Sequence, residues 1–248
     1  MCSSCGCVGR GFFFMSIAEN ICALQEQIAD AARRAGRAPE EIALMAVSKT
    51  HPASTIREAY EAGLRLFGEN RVQEFAGKAA ELSGLAGTQW HMIGHLQTNK
   101  ASKAAELFGA VDSVDSVKLA EKLDASAEKL GRKIGVLIEV NVGGEAAKSG
   151  VAPGSRELEE LLVAAPRFEA LQFSGLMTVP PHTEDPESAR PFFRSLRELR
   201  DSIARRNLPA VGMETLSMGM SHDFEVAIAE GSTCVRLGTA IFGERELL

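Results

Sequence analysis

Short apolar runs punctuate this chain at near-regular intervals. They fall at Ile42–Ser48, Arg65–Gly68, Thr88–Ile93, Ala110–Val114, Ile134–Val142, Leu171–Leu176, Glu214–Ser217 and Thr233–Leu237. Mostly apolar runs, rather than strict alternations, are expected of parallel strands covered on both faces. Between them the apolar period lengthens to that of a helix. Ile17, Ile21, Leu24, Ile28 and Ala31 share one face of an opening helix, and Val72, Phe75, Ala79 and Leu82 share a face of Arg71–Leu82. Phe193, Leu196, Leu199 and Ile203 do the same in Ala189–Arg206, and Thr55–Ala62 reads as a shorter helix. Asp115 or Ser116 is placed to cap a helix that runs to Leu130 and ends at Gly131. Strands alternating with helices imply a parallel sheet with right-handed crossovers. Eight such units in 248 residues predict an α/β protein, a single (β/α)8 barrel of TIM type with one extra N-terminal helix. An open doubly wound sheet would carry a glycine-rich dinucleotide loop after its first strand, but Lys49-Thr-His-Pro52 stands there.

Residues 1–14 fall outside this pattern. They are rich in Gly and Cys and lack periodicity, so they read as a disordered leader or an upstream start, with Met15 opening a domain of residues 15–248. Cys2, Cys5 and Cys7 have no second Cys/His pair at zinc-finger spacing, and no metal site is expected. Without a secretory signal the chain is expected to be cytoplasmic with free thiols. Net charge is -6, there is no long basic run, and one Trp with one Tyr leaves little for base stacking. Nucleic acid and anionic membranes are therefore excluded as expected partners. No apolar stretch approaches the ~18 residues of a membrane span.

In a barrel, chemistry collects at the carboxyl ends of the strands. The first such end is Lys49, an amine at the tip of an apolar run. Burial disfavours the ammonium form, and a partly neutral amine is the nucleophile that condensation with a carbonyl requires. The second end is Gly68-Glu69-Asn70, the third Gly94-His95-Leu96-Gln97, the fifth Asn141 and the sixth Met177-Thr178. The seventh, Ser217-Met218-Gly219-Met220-Ser221-His222-Asp223, and the eighth, Arg236-Leu237-Gly238-Thr239, look like an anion site. Small residues let backbone N–H groups approach a ligand, hydroxyls add donors, and helix N-termini favour negative charge. Ordinary cap chemistry would use the same residues, but barrels commonly bind phosphate at these two loops. A phosphate site beside a strand-end lysine suggests a phosphorylated aldehyde, and pyridoxal 5'-phosphate (PLP) satisfies both. Arg236, which only donates, would then suit an unprotonated ring nitrogen.

The motifs Ala46-Val-Ser-Lys49, Phe67-Gly-Glu-Asn-Arg-Val-Gln-Glu74, Trp90-His-Met-Ile-Gly-His-Leu-Gln-Thr-Asn-Lys100, Gly175-Leu-Met-Thr178, Leu216-Ser-Met-Gly-Met-Ser221 with Asp223, and Val235-Arg-Leu-Gly-Thr239 with Ile241-Phe-Gly243 closely resemble those of the pyridoxal phosphate homeostasis proteins. The resemblance runs from about residue 16 to 246, and the leader matches nothing in it. It implies a barrel of the alanine-racemase N-terminal-domain kind. It implies that Lys49 holds PLP as an aldimine, that Ser221, Gly238 and Thr239 hold the phosphate, and that Arg236 faces the ring nitrogen. Asn70 and Met218 follow as pocket residues. It further implies a carrier and regulator in vitamin B6 homeostasis, with apo-PLP enzymes as partners and no robust turnover; the chain is expected to be a monomer.

Two enzymes are the alternatives. A PLP-dependent amino-acid racemase needs bases on both faces of its substrate carbanion; the racemases that this barrel resembles take a tyrosine from a partner subunit as the second base, and the single tyrosine here, Tyr60, lies in the helix after the first strand, away from the strand ends. A Schiff-base sugar-phosphate aldolase would show no visible chromophore. His91 and His95 are four apart but are not expected to share a face, and Lys148 reads as a flexible surface lysine. Cys234 is expected to pack as a small hydrophobe.

Overall fold

The computed structural model describes residues 16–145 and 148–243; the predicted leader and its cysteines lie outside the described residues. The strands are β1 (Ala43–Val47), β2 (Leu66–Glu69), β3 (Gln89–Met92), β4 (Ala110–Val114), β5 (Ile134–Glu139), β6 (Leu171–Met177), β7 (Val211–Ser217) and β8 (Cys234–Leu237). They pair in parallel, in chain order, and close into a barrel through β1 and β8. The helices are α1 (Ile17–Arg34), α2 (Ala53–Glu61), α3 (Val72–Leu82), α4 (Ala101–Leu107), α5 (Val117–Lys129), α6 (Arg156–Ala164), α7 (Arg190–Ala204), α8 (Phe224–Ala229) and α9 (Thr239–Phe242). The fold is the predicted (β/α)8 barrel with its extra helix, α1.

Local sequence sets the helix ends. Ser16 opens α1 through a capping box, in which its Oγ accepts from Glu19 N–H at 3.2 Å and its own N–H donates to Glu19 Oε2 at 2.7 Å. Ser116 caps α5 by accepting from Leu119 N–H, which settles the choice between Asp115 and Ser116. Along each strand successive side chains take opposite faces. On β8, Val235 and Leu237 join the apolar layer under the helices, whereas Cys234 and Arg236 line cavities inside the barrel. Cys234 is buried as expected, and desolvation pushes its thiol up to about 12. At Gly175 the ladder shifts register, and a Cβ there would lie 1.8 Å from Thr215 O.

Helix α1 lies across the seam that closes the barrel. Asn20 Nδ2 donates to Ile241 O at 3.0 Å. Just beyond α1, Arg37 Nη1 donates to Ser232 O at 2.6 Å. No described helix is long and apolar enough to cross a membrane.

Two strand boundaries differ from the sequence reading by three residues, and the others agree to within one. β7 begins at Val211 rather than Glu214. β5 ends at Glu139 rather than Val142 because the chain then leaves the sheet and folds back on itself. Val151 N–H donates to Glu139 O and Asn141 N–H donates to Val151 O, each at 2.9 Å. The apolar pattern continues there because Val140 and Val151 are buried against each other as an isolated bridge.

Candidate functional site

A cavity of about 580 Å³ opens at the carboxyl ends of the strands. Small-molecule sites usually measure about 300–1,000 Å³. Its wall brings together Lys49 beyond β1, Asn70 beyond β2, Ser221 beyond β7, Arg236 in β8, and Gly238 and Thr239 beyond β8. Six of the seven residues singled out in the sequence thus share one wall. Met218 does not. Ser217 faces inward to Arg236, so the next side chain turns outward, and Met218 is fully buried in the core.

Alternation on β1 points Met45, Val47 and Lys49 into the barrel. Ser48 points outward into a buried polar cluster. Its Oγ donates to Glu69 Oε1 at 2.5 Å. The Lys78 ammonium, on α3, donates to Ser48 O at 3.0 Å and His51 O at 3.1 Å, and pairs with Glu69 Oε1 at 2.9 Å. Thr50 adopts a left-handed backbone with φ 67°, and its N–H donates to Glu74 of α3. The half-buried Lys49 therefore rises from a turn that β2 and α3 hold in place.

The loops after β7 and β8 are tied to each other. Gly219 has φ +95°, and a Cβ there would meet Ala227 at 2.6 Å. Its carbonyl accepts from Arg236 N–H at 3.0 Å. Asp223 holds the turn by accepting from Met220 N–H at 2.7 Å, although burial pushes its carboxyl above the usual range. Ser221 Oγ accepts from Ala240 N–H at 3.3 Å, which sets this hydroxyl against the first turn of α9, where Thr239 stands. Two hydroxyls and closely approachable backbone are a donor set suited to a phosphate.

Arg236 is 4% exposed. Its Nη1 donates to Ser217 Oγ and its Nη2 to Thr178 O, both at 2.7 Å. These two bonds fix the guanidinium at the cavity floor, where its remaining donors suit a ligand acceptor. Asn70 is held from the side by Gly94, where a Cβ would lie 2.4 Å from Asn70 O.

The structure adds residues that the sequence reading passed over. Lys148, read as a surface lysine, lines the cavity; its ammonium donates to Pro180 O at 3.1 Å and pairs with Glu145 at 2.8 Å. Glu139 also lines the cavity, whereas Asn141, taken as the tip of the fifth strand, turns its amide to Glu145 O at 2.9 Å. A charged residue inside the apolar run Ile134–Val142 was the available signal. His91 pairs with Asp112 at 3.0 Å in the barrel interior, and His95 with Asp115 at 3.5 Å at the mouth. The two histidines thus do not converge.

Residues 20–246 match the alanine racemase N-terminal domain family. The chain is 47% identical over 233 residues to the pyridoxal phosphate homeostasis protein of Aquifex aeolicus, covering 94% of this chain and 100% of that one. It is 46% identical over 231 residues to the protein of the same name from Pseudomonas aeruginosa, covering 93% and 96%. Among solved structures it is similar to PipY of Synechococcus elongatus with PLP bound, at a TM-score of 0.80 and 39% identity, covering 92% of this chain and 100% of PipY.

Proposed function

The chain belongs to the pyridoxal phosphate homeostasis proteins, and from that premise we propose that it binds PLP at the barrel mouth and serves intracellular vitamin B6 homeostasis as a carrier without robust turnover. The observation that carries this reading is the convergence of the Lys49 amine, the buried Arg236 guanidinium and the Ser221 and Thr239 hydroxyls on a single cavity wall. When bound, PLP supplies an aldehyde carbon that condenses reversibly with a primary amine. Lys49 provides that amine from its braced turn. Ser221, Gly238 and Thr239 hold the phosphate where the loops after β7 and β8 meet. Arg236 donates to the ring nitrogen, and because it cannot accept a proton back, it keeps that nitrogen unprotonated. Such a ring is a poor electron sink, which supports storage over catalysis. Asn70 flanks the ring. Met218 supports the loop from the core below rather than by contact.

The fate of Tyr60 also supports the carrier reading. Its hydroxyl donates to Ala86 O at 3.1 Å and the Arg65 guanidinium covers its ring at 3.9 Å, so it is engaged near the end of α2, outside the cavity wall. Delivery to apo-enzymes completes the proposed role.

The test is the visible spectrum of PLP-loaded protein before and after borohydride, followed by mapping of the reduced adduct. The adduct should sit on Lys49, and Lys49→Ala should lose it while keeping some non-covalent affinity. Labelling elsewhere refutes the assignment. Racemisation of alanine or serine at enzyme-like rates, abolished by Lys49→Ala, refutes the carrier role.

A further inference from the structure

Glu139 ends β5, and in a closed eight-stranded barrel β5 lies across from β1, which carries Lys49 at its tip. Both residues line the same cavity. Glu139 is only 6% exposed. Its Oε1 accepts from Ser149 Oγ at 3.0 Å, while its Oε2 has no hydrogen-bond partner among the described residues. A buried carboxyl oxygen without a donor is costly, and a cationic donor is the group that best relieves it. We propose that Glu139 captures the ammonium of an incoming primary amine and takes its proton, so that the amine displaces Lys49 and carries PLP away as its own imine.

The proposal rests on the reading that Lys49 holds PLP, and it names the chemical class that ends that hold. The proton balance is simple. One N–H proton of the ammonium passes to Glu139 Oε2. The neutral amine nitrogen would then bond to the carbon held by Lys49, its two remaining N–H protons would pass to Lys49 Nζ as both bonds from that carbon to Nζ break, and PLP would leave as the imine of the incoming amine, with Lys49 left as a neutral amine. A carboxyl whose proton affinity is raised suits this task, because a general base works best near the operating pH. Desolvation raises that of Glu139, and the nearby Asp115 pushes the same way. The Ser149 hydroxyl, His95 and Arg236 oppose them. Lys148 and His222 are further charged or titratable groups on the cavity wall.

The experiment uses PLP-loaded protein and ethylamine as the probe. Loss of the Lys49-linked chromophore is followed from pH 5 to 9 at constant total ethylamine, with borohydride mapping before and after. In wild type the exchange rate rises with pH through the ionisation of Glu139 and then levels. Glu139→Gln should exchange at least about tenfold more slowly at neutral pH, without that plateau, and should still trap PLP at Lys49. Ser149→Ala removes the donor to Oε1, so its midpoint should move to higher pH. Equal rates and profiles in wild type and Glu139→Gln overturn the proposal, as does an unmoved midpoint in Ser149→Ala. Poor PLP trapping by Glu139→Gln also overturns it, because the carboxyl would then act on PLP itself. A wild type that is not labelled at Lys49 indicts the underlying reading instead.

Discussion

Replacing Lys78 by Met should be one of the most damaging single changes outside the apolar core. Lys78 is 8% exposed and Glu69, its partner at 2.9 Å, is fully buried. Glu69 Oε2 already has no partner among the described residues, and burial pushes this carboxyl above its usual range. Removing one member of a buried ion pair typically destabilises by about 3–5 kcal/mol. Ser48 O would keep His51 N–H at 3.2 Å, so the loss of Lys78 does not orphan that carbonyl. The expected loss is therefore about 3–5 kcal/mol at neutral pH, a large share of the roughly 5–15 kcal/mol that holds a domain together. It should shrink in acid, where Glu69 takes up a proton and no longer needs the ammonium. Pairing Lys78→Met with Glu69→Gln should recover much of the loss, because the stranded charge is gone. Urea unfolding followed by circular dichroism at pH 7 and pH 5 measures each arm. Borohydride labelling of Lys49 in the folded variant should also slow as its turn loosens. A loss under about 1 kcal/mol, or a double mutant whose two costs simply add, would refute the reasoning.

Three further outcomes are expected. The raised carboxyl of Glu139 means that the folded state binds an extra proton between the unfolded and folded pKa values. That stability therefore falls as pH rises through this window, and Glu139→Gln should be more stable than wild type at pH 7, with the gap closing below the ordinary carboxylate range; equal urea midpoints at pH 7 would count against it. Ser221→Ala should weaken PLP about 10- to 100-fold, since a hydrogen bond to a charged group contributes roughly 1.5–3 kcal/mol, while leaving pyridoxal binding nearly unchanged; paired titrations of the two vitamers decide this. Gly175→Ala should fail to fold at all, because no shift of a few tenths of an ångström relieves a 1.8 Å approach to Thr215 O; soluble protein with native circular dichroism would contradict it.

Much of the architecture could be read from the chain because burial on both faces writes itself as an apolar run. All eight runs become strands, and Lys49, Arg236, Ser221, Gly238 and Thr239 reach one wall because strand ends in a barrel share one rim. Errors arose where apolar character has another source. Val140 and Val142 lengthened the fifth run although they belong to a returning loop, and that moved attention from Glu139 to Asn141. Met218 illustrates the opposite problem: a motif residue at the right height on the wrong face. The Lys78 cluster was invisible in sequence, since it joins Ser48, Glu69 and a helix residue only after three elements have packed.

Order along the chain has a consequence for when this protein can first meet its vitamin. β8, which seals the barrel against β1, is also the strand that carries Arg236 and leads into Gly238 and Thr239. On the proposed assignment, a nascent chain that has already made Lys49 presents its amine with nothing to grip a phosphate. Once the final strand zips in, closure and grip arrive together, so the loaded ligand acts as a clasp on the seam. Heat or denaturant should then open the saturated protein later than the empty one, by an amount set by free vitamer concentration.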